Sequence, residues 1–258
     1  GHHRRQRQMC IRDSSYIESA IVQKEIISRL IERTSLINFI PEQIIDIGAG
    51  IGLSSRPFMD IFPNAKVNMY DKSILSLNKS IIQSENFYKV CGDFTSLPFK
   101  DDSFDLVFSA SALHWNYNIG QTIQEIFRIL KPSGLLLFST FGKGTLKEYK
   151  DAWAMVDSNQ HVNEFFDMHN LGDLLYKVGL KDPVMDSEKI VIQYDSVRQI
   201  QLDLKNIGSF LMQRERGLGL TSKGKMQNMY KSYEELKGPQ TTYPLTYEVI
   251  YGHAWKTL

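Results

Sequence analysis

The stretch Asp46-Ile47-Gly48-Ala49-Gly50-Ile51-Gly52 sets three alternating glycines behind a short apolar run. Glycine lets a backbone turn sharply and approach a ligand with no Cβ in the way. A helix that follows such a turn presents free N–H groups to a carboxylate. Asp71 lies nineteen residues beyond Gly52, where a second strand is expected to end, and a carboxylate there can accept both hydroxyls of a ribose. Glycine turn and acid together imply a nucleoside ligand. A dinucleotide fingerprint reads G-x-G-x-x-G, whereas this one reads G-x-G-x-G, which favours a ligand without a pyrophosphate. Farther on, Gly92-Asp93-Phe94 offers a carboxylate for an exocyclic amine and an aromatic ring for a base.

These residues need rigid elements beneath them. Short apolar runs at 44–47, 66–70, 88–91, 104–109 and 135–141 read as strands, and amphipathic stretches at 52–61, 73–84 and 119–130 read as the crossovers between most of them. A leading helix runs from 16 to about 38, with Ile17, Ala20, Ile21, Ile27, Leu30 and Ile31 largely on one face. Alternating strand and helix means a parallel sheet with helices on both faces, with the glycine turn at the switch point of the strand order. After Phe141 the expected order is helices at 145–156 and 166–178, a strand at 188–194, helices at 197–208 and 222–236, and a β-rich run at 243–255. The expected fold is α/β, a seven-stranded mostly parallel sheet with a helical cap. One domain is expected over 15–258, its core at 40–141 and cap insertions at about 142–186 and 196–238. Residues 1–14 begin Gly-His-His and lack the apolar core of a signal peptide, so they are read as a tag or leader outside the fold.

From about 44 to 141 the order and spacing of these motifs resemble the class I S-adenosylmethionine-dependent methyltransferases. Asp102-Ser103-Phe104-Asp105-Leu106-Val107 and Leu130-Lys131-Pro132-Ser133-Gly134 extend the match. The resemblance implies a Rossmann-like sheet, S-adenosylmethionine as cofactor and S-adenosylhomocysteine as product. It puts Gly48 and Gly50 at the methionine end, Asp71 at the ribose, and Asp93 with Phe94 at the adenine. Asp46, Gly52, Lys72 and Ser109 complete the expected cofactor set.

Bulk properties narrow the class further. The 258 residues are long enough to bury a sizeable core, and 42% hydrophobic with 23% charged residues is ordinary for a globular protein. No apolar run approaches the roughly 20 residues that span a bilayer, so a cytoplasmic protein without membrane contact is expected. Cys10 and Cys91 lack metal-ligand spacing, and no metal is expected. A net charge of +1 gives no general attraction for nucleic acid. Locally, Lys205, Arg214, Arg216, Lys223, Lys225 and Lys231 face Glu215 alone between positions 205 and 231. Such a stretch can steer an acidic protein partner.

Outside the core, Tyr16-x-x-x-Ala20-x-x-Gln23, Thr145-Leu146-Lys147-Glu148, Asp157-x-x-x-His161-x-Asn163-x-Phe165, Leu204-Lys205-Asn206-Ile207-Gly208 and the run Tyr243 to Gly252 follow one another in a particular order. In that order they resemble the malonyl-[acyl-carrier protein] O-methyltransferase family of biotin synthesis. The resemblance implies methylation of the free carboxylate of a malonyl thioester on an acidic acyl-carrier protein. That carboxylate is ionised at neutral pH and is itself the nucleophile, so alignment and exclusion of water are the enzyme's tasks. Lys205 is the candidate cation for the carboxylate, with Arg198, Lys143 and Arg128 behind it. Tyr16 and Trp115 are candidates to shield the transfer site, and His161 is read as an orienting hydrogen-bonder. Arg214, Arg216, Lys223 and Lys225 are candidates to dock the carrier. Two other readings stand beside this one: a small-molecule O- or C-methyltransferase with His114 as general base, and a non-catalytic S-adenosylmethionine-binding protein.

Overall fold

A computed structural model describes residues 7–10, 18–80, 82–115, 118–207, 222–237 and 241–257. In chain order the elements are β1 (Arg7–Cys10), α1 (Glu18–Glu32), β2 (Gln43–Ile47), α2 (Phe58–Ile61), β3 (Lys66–Asp71), α3 (Ile74–Lys79), β4 (Phe87–Cys91) and β5 (Phe104–Ala110). They continue as α4 (Ile119–Ile129), β6 (Leu130–Phe141), α5 (Lys147–Ala154), α6 (Met168–Val178), β7 (Leu180–Tyr194), α7 (Val197–Ile207), α8 (Lys223–Glu234) and β8 (Tyr243–Lys256). The strands hydrogen-bond in the order β1-β7-β8-β6-β5-β2-β3-β4. Without β1 this is the expected seven-stranded sheet. Pairing is parallel for β2 with β3, β2 with β5, β3 with β4 and β5 with β6, so the order reverses at β2 and β5.

The chain divides into two units. One gathers Gln23–Phe141, Phe166–Ser187 and the end of the chain from Ile250. Its β2 buries Ile44, Ile45, Asp46 and Ile47 in succession, as a strand covered on both faces must. In α4, Ile123, Ile126 and Ile129 recur at helical spacing and are fully buried. They join Ile45, Ile47, Val107, Leu136 and Phe138 in the main core, together with Leu171, Leu175 and Leu180. The other unit gathers Gly142–Phe165, Glu188–Val249 and the described residues before Gln23. Its polar groups are tied in pairs: the Tyr194 hydroxyl donates to Asp203 Oδ2 at 2.7 Å, the Tyr233 hydroxyl donates to the Pro244 carbonyl at 2.7 Å, and the Gly144 N–H donates to Glu248 Oε2 at 2.6 Å.

Several expectations change here. The stretch 142–186, expected as one cap insertion, is divided between the two units. α6 carries its apolar stripe into the main core beside α4, which is why it groups with the larger unit. Arg7–Cys10, inside the expected leader, forms β1, paired parallel with β7 from Arg7 opposite Ile190 to Cys10 opposite Gln193. The helix expected at 52–61 shrinks to α2. Gly52 stands at φ +91°, Ser54 and Ser55 turn their hydroxyls to Asp46, and Pro57 has no N–H to give, so turns replace the first helical residues. The helix expected at 73–84 stops at Lys79, because Ser80 goes extended with φ −65° and ψ 126°.

Candidate functional site

The larger unit places the glycine turn at the carboxyl end of β2, where the strand order reverses and open α/β sheets bind ligands. Gly48, Gly50 and Gly52 all have positive φ, at +81°, +56° and +91°. The N–H groups of Gly48 and Ala49 donate to the Tyr70 carbonyl at 2.7 and 3.2 Å, so the turn is pinned to the end of β3. A Cβ on Gly48 would lie 2.1 Å from Ala112 Cβ, whereas one on Gly50 would meet nothing within 4 Å. Gly48 is thus required by packing, and Gly50 borders open space that a ligand can fill.

Asp71 closes one side of that space. Its Oδ2 accepts the Gly50 N–H at 2.9 Å and its Oδ1 accepts the Ser73 N–H at 2.7 Å. An ionised carboxylate has about four acceptor positions, so two remain for a pair of vicinal hydroxyls. Asp93 Oδ1 accepts the Thr95 N–H at 2.9 Å and the Thr95 hydroxyl at 2.6 Å, and Lys72 Nζ stands 3.2 Å from its Oδ2. These bonds hold the Asp93 carboxyl down to about 2, Thr95 contributing most. Phe94 packs 6.2 Å from the Tyr70 ring, centroid to centroid. The Tyr70 hydroxyl donates to the Asp93 carbonyl at 2.8 Å, and a Cβ on Gly92 would come within 2.1 Å of the Tyr70 hydroxyl oxygen.

Asp46 is wholly buried beneath the turn. Both the Ser54 and Ser55 hydroxyls donate to its Oδ2 at 2.6 Å, while Oδ1 has no hydrogen-bond partner among the described residues. Burial pushes the carboxyl up to about 6 against the pull of the two hydroxyls, and the charge of Asp71 adds to the rise. The sequence reading passes over Ser54 and Ser55. A buried acid needs donors, and two hydroxyls eight and nine residues on were the available signal.

Ser109 corrects an expectation. It is fully buried and its hydroxyl donates to the Ile47 carbonyl at 2.9 Å, so it ties β5 to β2 and is not exposed to a ligand. Two residues on, Ser111 takes φ +53° and donates its N–H to the carbonyl and hydroxyl oxygens of Ser139, both at 3.0 Å. Strain of this kind persists where surrounding structure enforces it, often beside functional sites. His114 packs its ring edge-on against Phe141 at 5.0 Å, and burial lowers its pKa from 6.5 to about 3. It stays neutral near pH 7 and does not supply a base that titrates there. Trp115 ends the same short 3-10 turn, and its side chain lies outside the described residues.

The cationic candidates separate clearly. Arg128 is committed to structure: it reaches Glu125 and Asp101 with its guanidinium and also the carbonyls of Leu97 and Phe99. In the smaller unit, Lys205 and Arg198 are exposed on α7, and Lys143 is exposed before α5. Lys223 is exposed on α8, but Lys225 Nζ contacts Asp157 Oδ2 at 2.7 Å. Asp157 also meets His161 Nε2 at 2.8 Å, and Lys225 followed by His161 holds its carboxyl well below the usual range. His161 stacks on Trp153 with centroids 3.6 Å apart. Tyr16, Arg214 and Arg216 lie outside the described residues. Among the described residues no group of three or more His, Cys, Asp or Glu could hold a metal ion, and no helix is long and apolar enough to cross a membrane.

The fold is that of a class I S-adenosylmethionine-dependent methyltransferase, and a family model described as a methyltransferase domain matches residues 45–138. The YcgJ protein of Bacillus subtilis superposes with a TM-score of 0.63 at 17% identity, over 89% of this chain and 98% of that one, which supports the fold. Malonyl-[acyl-carrier protein] O-methyltransferase of Gallionella capsiferriformans is 38% identical over 93% of this chain and 86% of its own length. Malonyl-[acyl-carrier protein] O-methyltransferase 1 of Coxiella burnetii is 39% identical over 94% and 84%. The chain belongs to the malonyl-[acyl-carrier protein] O-methyltransferase family.

Proposed function

We propose that this chain methylates the free carboxylate of a malonyl thioester on an acyl-carrier protein, using S-adenosylmethionine, as a cytoplasmic step of biotin synthesis. The observation that carries the reading is the similarity to relatives of that name across more than nine-tenths of the chain. The cradle fits the cofactor: open space above Gly50, two unfilled acceptor positions on Asp71, and an unpartnered Asp46 oxygen beneath the turn. Asp71 would hold the ribose hydroxyls, Asp93 and Phe94 the adenine, and the turn at Gly48 and Gly50 the methionine end. Lys72 would lie at the adenine edge through its contact with Asp93. When bound, S-adenosylmethionine supplies an electrophilic methyl group on a sulfonium.

The chain's own work is then to position the acceptor oxygen and keep water from it. The acceptor is already ionised, since an unperturbed side-chain carboxyl titrates near 4, so no proton has to be removed. The neutral His114, both ring nitrogens sealed from water, suits a wall of the site better than a base, and it weighs against the small-molecule reading that relied on it. Lys205 remains the candidate partner for the substrate carboxylate, Arg198 and Lys143 standing behind it. Exposed Lys223 and Lys231 are the docking candidates for an acidic carrier; Lys225 is occupied by Asp157. Incubating malonyl-carrier protein with the chain and S-adenosylmethionine should add a single methylene to the intact mass. No added mass, with the cofactor demonstrably bound, would favour the non-catalytic reading.

A further inference from the structure

We infer that Ser54 and Ser55 are positioning residues for cofactor binding, which keep Asp46 ionised beneath the glycine turn and so make capture of a cationic ligand there depend on a proton. The inference rests on the reading that the turn receives the ammonium-bearing methionine end of the cofactor. Its basis is geometric. Asp46 is fully buried in the last positions of β2, opposite Met69 of β3 and Phe108 of β5, neither of which carries charge. Asp71, at the end of β3, is the titratable group whose charge reaches it; Ser109 on β5 spends its hydroxyl on Ile47. The compensation it receives comes from two hydroxyls on one oxygen, each at 2.6 Å, and the other oxygen has no hydrogen-bond partner among the described residues.

Half-compensated carboxylates of this sort sit at the edge of ionisation, because burial disfavours the charge while each donor favours it. Here the balance falls at about 6. Deprotonation leaves a negative charge two residues from Gly48, where an ammonium is attracted to it. Protonation removes that charge and weakens both serine bonds, since a neutral carboxyl accepts less strongly than a carboxylate. Ligand binding must therefore release a proton wherever Asp46 is protonated in the free chain.

Calorimetry of S-adenosylhomocysteine binding to the full chain tests this without turnover. For the wild type, affinity should be flat above about pH 7 and fall about tenfold per unit below pH 6, with about half a proton released at pH 6 when buffers of different ionisation enthalpy are compared. Ser54→Ala and Ser55→Ala each remove one donor to a charge, which should move the midpoint upward by about a unit or more. Their affinity should recover at alkaline pH. A merely structural serine would instead weaken binding by the same factor at every pH, and that result overturns the inference. So does a wild type that binds with flat affinity and no proton release from pH 5 to 8, a measurement that needs no variant to fold. A wild type that binds S-adenosylhomocysteine at no pH refutes the cofactor reading itself.

Discussion

Asp71→Asn is the perturbation that weighs the cofactor site most directly. The native carboxylate accepts the Gly50 and Ser73 N–H groups through different oxygens, leaving one further position on each. Asparagine keeps a single acceptor oxygen, turns the other position into a donor, and removes the charge. The amide oxygen can satisfy one backbone N–H, so the ligand's pair of hydroxyls loses the equivalent of one charge-assisted bond. Such a bond is worth roughly 1.5–3 kcal/mol, which raises Kd by about 10- to 150-fold. Titration calorimetry with S-adenosylhomocysteine measures this, and adenosine should lose affinity by a similar factor because it carries the same ribose. A cooperative thermal transition confirms that the variant is folded. Unchanged affinity in that folded variant removes Asp71 from the site, and a loss for S-adenosylhomocysteine without one for adenosine assigns Asp71 to the turn alone.

Three other outcomes are expected. The ring of His114 is harder to protonate when folded than when unfolded, so its contribution to stability is complete above 6.5 and is lost as pH falls from there toward 3. His114→Gln should lose about 2 kcal/mol less stability than the wild type between pH 7 and pH 5 in denaturant titrations; parallel pH profiles would show that the ring protonates freely in the folded chain. Reversing Lys223 and Lys231 to Glu should raise KM for malonyl-carrier protein most strongly at low salt and leave a malonyl-coenzyme A surrogate nearly unaffected; equal effects on both substrates would argue against a docking face. Lys205→Met should lower kcat/KM for malonyl-carrier protein at least tenfold, about 1.4 kcal/mol, with cofactor affinity intact, and near wild-type efficiency would return Lys205 to the hydrated surface.

Strands β2 and β5 of the larger unit were legible because each is short, rich in apolar residues and almost wholly buried. Ile44 to Ile47 and Phe104 to Ser109 lie within one residue of the observed β2 and β5. Helix ends were harder to read, since side-chain bonds set them: Ser54 and Ser55 are drawn to Asp46, and the Ser80 hydroxyl accepts the Ile82 N–H. The grouping of α6 with the larger unit was hidden because an apolar stripe does not say which surface it covers. At the site, Asp71 and the glycines could be placed from spacing alone. Ser109 could not, because a strand residue one position from exposure looks the same in sequence as one sealed between two strands. Charge was the least legible property: Arg128 and Lys225 look like any surface cation until Glu125, Asp101 and Asp157 are found beside them.

The Tyr70 ring has a consequence for how this sequence can drift. Its hydroxyl spans from β3 to the Asp93 carbonyl and fills the volume that any side chain at position 92 would need. Position 92 is therefore held to glycine by position 70: a larger residue at 92 requires a smaller one at 70, and that change gives up the bond between the Tyr70 hydroxyl and the Asp93 carbonyl. Among diverging copies of this gene a side chain at 92 should be found only beside a smaller residue at 70, and lineages that have lost the Tyr70 hydroxyl should carry a different tether for the Asp93 carbonyl.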